Sequence, residues 1–121
     1  MFIQIEDPTE APLPPEQVRF RDVLIQPYPD RDRVKLTFEV TPFQSAPNLA
    51  LEIFDQAGRV VTSLVVIGAH AKTLELTAHL RSKDPADQYQ LEAKLSYEEI
   101  GQVDILQHAF STRQDAEPGD G

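Results

Sequence analysis

The chain has 121 residues, 40% apolar and 26% charged, with no cysteine or tryptophan and a formal net charge of −9. That length fits one hydrophobic core rather than two. The composition excludes a disulfide scaffold and a thiolate zinc site, and no apolar run approaches the roughly 18 residues of a membrane-spanning helix. Residues 1–17 carry Glu6, Asp7, Glu10 and Glu16 without a base, and residues 114–121 carry Asp115, Glu117 and Asp120 likewise. Between them, 13 acids face 11 bases over residues 18–113, so a nearly neutral body lies between acidic ends. Acidic ends favour solubility, and no Lys/Arg stripe is present to displace counterions from nucleic acid or anionic lipid. The N-terminus has no basic n-region followed by an apolar h-region, which sets a cytoplasmic expectation.

In chain order, "MFIQIE" offers a short strand through Phe2, Ile3 and Ile5 that cannot bury itself alone. "DPTEAPLPPEQ" (7–17) holds four of the ten prolines and reads as an extended linker. From residue 18 a two-residue alternation begins and recurs to the end of the body, the signature of half-buried strands. "VRFRDVLIQ" (18–26) places Val18 and Phe20 on one phase and Val23 and Ile25 on the other, which predicts a bulge. "RVKLTFEV" (33–40) is the cleanest alternation, and "NLALEIF" (48–54) follows with Leu49, Leu51 and Ile53 on one face.

The turn "DQAG" (55–58) then reverses the chain, with Gly58 placed to supply a positive φ. "RVVTSLVVI" (59–67) returns, "TLELTAHL" (73–80) alternates, and Tyr89–Tyr97 puts Tyr, Leu, Ala, Leu and Tyr on successive odd positions. The helix-forming composition of "LEAKLSYEEI" competes there, but a helix would scatter those five side chains around its axis. "EEIG" makes a last turn into "QVDILQHAF" (102–110). Seven short strands joined by proline-bearing loops predict an all-β, seven-stranded antiparallel β-sandwich over 18–112, followed by a disordered acidic tail at 113–121.

Chemistry is sparsely supplied. His70, His79 and His108 fall in different elements without a zinc-ligand spacing, and His79 and His108 fall on phases opposite the expected core rows. The acid pairs in "DRD" (30–32), "DPAD" (84–87) and "EE" (98–99) sit in turns, where Asp bonds locally. Asp30, Arg31, Asp32 and Arg33 compose a self-compensating charged turn. Ser45, Ser63, Ser82, Ser96 and Ser111 stand in no nucleophile motif, and no glycine loop cradles phosphate. No enzyme, cofactor or metal is therefore expected, with loop calcium the remaining cation possibility.

"DPADQYQLEAKL" (84–95) carries Pro85, Tyr89, Leu91 and Ala93 in an order that resembles the corner between the fifth and sixth strands of immunoglobulin-like and fibronectin type III domains. The resemblance implies that Tyr89 opens a strand and bonds back to corner backbone. Leu80 stands nine residues before Tyr89, three more than that family's usual spacing, and the family's tryptophan is missing. It implies a non-enzymatic interaction or accessory module. A ligand- or carbohydrate-binding sandwich is the alternative, although one lacking Trp is poorly equipped to stack sugars.

The interaction expectation rests on "VVTSLVVI" (60–67), eight residues without charge or proline and apolar on both phases. Because only one face of such a strand meets a core, some of Val61, Val65 and Ile67 should lie outside it. Such an edge is a template for strand pairing, with a protein partner, a second copy in a homodimer, or residues 1–6 as the candidate cover.

Overall fold

The computed structural model describes residues 11–80 and 88–112. A single-turn 3₁₀ segment, Pro15–Gln17, precedes seven strands: β1 (Phe20–Pro27), β2 (Arg33–Val40), β3 (Asn48–Phe54), β4 (Val60–Val66), β5 (Thr73–His79), β6 (Gln88–Tyr97) and β7 (Gly101–Ser111). They form two antiparallel sheets, β1-β2-β5 and β4-β3-β6-β7. The expected corner around Pro85, the N-terminal "MFIQIE" and the tail after residue 112 lie outside the described residues. No helix among the described residues is long and apolar enough to cross a membrane.

Alternation decides which side chains meet between the sheets. Val34, Leu36, Phe38 and Val40 of β2 oppose Leu49, Leu51 and Ile53 of β3 and Tyr89, Leu91, Ala93, Leu95 and Tyr97 of β6 in one buried cluster. These three strands are central in their sheets or flanked on both sides, so their apolar phase is continuous and their polar phase faces out. The helical composition of residues 91–97 yields to that packing, since the core face is set by tertiary contact rather than by propensity. The bulge expected in β1 falls between Phe20 and Asp22, where the pairing with Val40 and Glu39 shifts register. It returns Phe20, Val23 and Ile25 together to the core side.

Two open corners of the sandwich are tied across the layers. The Phe20 amide donates to Asp104 Oδ2 at 2.9 Å, joining β1 to β7. The Thr62 hydroxyl donates to the His79 carbonyl, joining β4 to β5. Of the proline-rich segment 7–17, read from the sequence as an extended linker, residues 11–17 are described, and from Leu13 they dock on the body. Leu13 bridges Phe43, with Leu13 N donating to Pro42 O at 3.1 Å and Gln44 N to Leu13 O at 2.9 Å. Pro15 then opens the 3₁₀ turn, its fixed φ suited to a first helical position. Prolines there restrict the chain without preventing residues 13–17 from docking.

Turn chemistry is local. Asp55 Oδ1 accepts from the amides of Ala57 (2.9 Å) and Arg59 (3.0 Å), and Oδ2 accepts from Arg59 Nε (2.9 Å). Gly58, at φ +83°, completes the β3–β4 hairpin in the left-handed region. The Asp30–Arg33 turn closes through an ion pair at 2.9 Å, with the Arg33 guanidinium 4.2 Å over the Tyr28 ring.

Candidate interaction site at the β4 edge

β4 ends the four-stranded sheet, hydrogen-bonded on one side to β3. Among the described strands it is the edge without a charge: β1 carries Arg21 and Asp22, β5 carries Glu75 and β7 carries Asp104. Charges and prolines on an edge discourage pairing with foreign strands, and β4 has neither.

The strand's inner and outer faces are set by a second bulge. Ile53 pairs with Thr62 but Phe54 pairs with Val60, leaving Val61 as the extra residue. Val61 therefore turns into the core, 7% exposed, and of the three candidate edge residues Val61, Val65 and Ile67 only the last two lie outside it. Beyond the bulge, Leu64 and Val66 pack on the core while Val65 (62% exposed) and Ile67 (75%) face out. Between β4 and β5 lies a groove of about 350 Å³, lined by Val60–Leu64, Thr77 and His79.

Ile67 is held outward by the turn that follows it. Gly68 adopts φ +69° and donates its amide to Asn48 Oδ1 at 2.9 Å, while the Ala69 amide donates to Pro47 O at 2.8 Å. The chain is thereby pinned to the start of β3, and Ile67 projects into an open cleft of about 540 Å³ at that end of the sandwich. The 3₁₀ turn, the β2–β3 loop and the β6–β7 turn supply the other walls, through Glu16, Ser45, Tyr97, Glu98, Glu99 and Ile100. Tyr97 braces this end: its buried hydroxyl donates to Ser45 O at 2.7 Å, and burial raises its pKa above the ordinary 10.0. An odd-position tyrosine at the far end of β6 marks the bracing role only once Ser45 is placed beside it, 52 residues earlier.

Tyr89, at the opposite end of β6, is 5% exposed and stacks on Phe110 with centroids 5.6 Å apart. Its expected hydroxyl bond belongs to the corner at 81–87, outside the described residues. The three histidines lie apart and exposed. His108 pairs with Leu91 and so lies on the core phase of β7, not opposite it as alternation suggests. The reason is a bulge between Leu95 and Ser96, which sends both Val103 and Leu106 inward and leaves Ile105 outside. His108 stays exposed on its edge strand. Among the described residues no three His, Asp or Glu side chains are placed to hold a metal ion.

No family model and no curated protein matches the chain. Solved structures do. The apo β-glucuronidase of Ruminococcus gnavus aligns with TM-score 0.53 at 15% identity, covering 81% of this chain and 16% of the enzyme chain. The same enzyme in complex with D-glucuronic acid gives the same values, and a further structure of it gives TM-score 0.51 at 14% identity over 78% of this chain. The chain thus spans about 16% of the length of these enzymes, and at such identity the likeness is one of fold: a two-sheet β-sandwich.

Proposed function

We propose that the chain is an immunoglobulin-like sandwich of the fibronectin type III kind, acting as a non-enzymatic accessory module that pairs its β4 edge with a strand of another protein. The observation that carries this reading is the uncharged β4 edge with Val65 and Ile67 turned to solvent. The three-on-four strand order and the buried tyrosine opening β6 support the family assignment. The glycosidase neighbours, in which a sandwich of this shape is a small part of a much longer chain, support an accessory role within a larger assembly.

Strand addition recruits backbone hydrogen bonds for affinity and outward side chains for selectivity. Val65 and Ile67 would supply the latter. A carbohydrate-binding role is the second reading, favoured by the same neighbours. Against it, the cleft's aromatic residue, Tyr97, is 6% exposed and its hydroxyl is committed to Ser45, which leaves little ring face for stacking a sugar.

The test uses the tagged full chain and three variants, Val65→Lys, Ile67→Lys and Ala109→Lys, the last on the opposite edge strand. Complexes recovered with the wild type should be lost with the first two and kept with the third. Light scattering across a concentration series reads self-pairing in the same proteins. Complexes that survive Val65→Lys, with unchanged composition, would remove β4 as the docking edge.

A further inference from the structure

The cleft at the end of β4 combines two features that a solvent-facing surface seldom combines. Ile67 and Ile100 line it from opposite sides, 75% and 50% exposed. Glu16, Glu98 and Glu99 line it as well, and no basic residue does. Arg19, close to Glu16 in sequence, directs Nη1 to the carbonyl oxygens of Glu16 (2.9 Å) and Val18 (2.8 Å). These are backbone contacts. They leave Glu16, Glu98 and Glu99 exposed beside Ile67 and Ile100 in a lining of mixed polarity.

We infer that this cleft seats an extended, cationic segment of a partner protein, an apolar side chain lying between Ile67 and Ile100 and flanking lysines or arginines meeting Glu16, Glu98 and Glu99. The volume of about 540 Å³ suits one or two side chains rather than a folded domain. The carboxylates do not converge on one point, since no metal-holding cluster occurs among the described residues; spaced cations along a peptide match them better than a single ion. Electrostatic complementarity selects the partner's sign. The three carboxylates of the lining, with no base among them, select a basic segment over an acidic one, and the net charge of −9, carried mostly by the chain's ends, adds to the encounter rate. Ile67 directly follows β4, and the remaining walls come from the 3₁₀ turn and the segments flanking β3 and β6, so the cleft is a site apart from the free edge of β4.

The inference rests on the reading of the chain as an interaction module, and one experiment separates their failures. The ¹⁵N-labelled chain is titrated with a blocked heptapeptide alternating valine and isoleucine with lysine, and with its twin carrying glutamate at each lysine. The lysine peptide should shift the amides of Ile67, Gly68, Glu98, Glu99 and Ile100 saturably, more weakly as salt rises, while the glutamate twin shifts none of them. The double variant Glu98→Gln, Glu99→Gln should weaken binding by about tenfold, and Val65→Lys should abolish shifts along β4 while keeping those of the cleft. Loss of the β4 shifts in the wild type alone, with cleft shifts intact, would count against strand pairing only. Three results would overturn the cleft proposal: equal binding of both peptides, shifts spread evenly over distant acids such as Asp22 and Glu75, or binding that appears only after removal of residues 1–10, which would assign the cleft to the chain's own N-terminus.

Discussion

Replacing Tyr97 by phenylalanine removes one oxygen and isolates what the brace at the cleft contributes. The hydroxyl donates to Ser45 O at 2.7 Å, and the ring stays 6% exposed in the core. A neutral hydrogen bond contributes about 0.5–1.5 kcal/mol net. Ser45 is exposed, so its orphaned carbonyl can take water, and the cost should fall in the lower half, about 0.5–1 kcal/mol. For a domain of this size that is roughly 2–4 °C in Tm. Tyr97→Ala, which also opens a cavity, should cost about 3–5 kcal/mol.

The phenol adds a pH signature. Its folded pKa is raised by burial above 10.0; the contribution is therefore complete below pH 10 and is lost as pH rises beyond it, because the unfolded chain ionises first. Wild type minus Tyr97→Phe, measured as urea midpoints from pH 7 upward, should narrow above pH 10. Equal midpoints at pH 7, or a gap that stays constant into alkali, would refute the brace.

Other positions carry their own expectations. Asp55 has its pKa lowered, first by the Arg59 amide and then by the Ala57 amide and the Arg59 guanidinium, against the opposing effect of burial. Its contribution is present above 3.8 and lost as pH falls through the lower folded value, so Asp55→Asn should flatten the acid limb of the stability curve; an unchanged limb would argue against it. Gly58→Ala meets open space, yet its φ of +83° should cost about 1–2 kcal/mol by denaturation; a neutral result would mean the hairpin relaxes. Tyr89→Phe should lower stability by about 1 kcal/mol through loss of a corner acceptor's donor, and an unchanged midpoint would remove the corner assignment.

Most of the sandwich can be read from alternation, and the departures have physical causes. β2 and β6 are legible because each presents one apolar phase to a core on a continuous strand. The bulge in β1 is visible as a phase change between Phe20 and Val23. The bulges in β4 and β7 are not, because Val60, Val61, Leu64, Val65 and Val66 are apolar on both phases, and Val103, Ile105 and Leu106 similarly leave the phase open. Inserting a residue into such a run changes which side chain is buried without changing the pattern. That is why alternation leaves open which of Val61, Val65 and Ile67 is buried, and why His108 lies on the other face from the one expected. The cleft was hidden for another reason. Its walls come from the 3₁₀ turn, the β2–β3 loop, the end of β4 and the β6–β7 turn, and their approach follows from sheet order rather than from any local motif.

The claim that β4 is an open edge awaiting a strand is tested most directly by amide hydrogen exchange in the dilute, isolated chain. Amides of β4 that point away from β3 should exchange far faster than those of β3 and β6, which are paired on both sides. They should become protected when a partner strand is added to the wild type, and not when it is added to Val65→Lys. Slow exchange of all β4 amides in the dilute monomer, matching β3 and β6, would show the edge already covered and contradict the account.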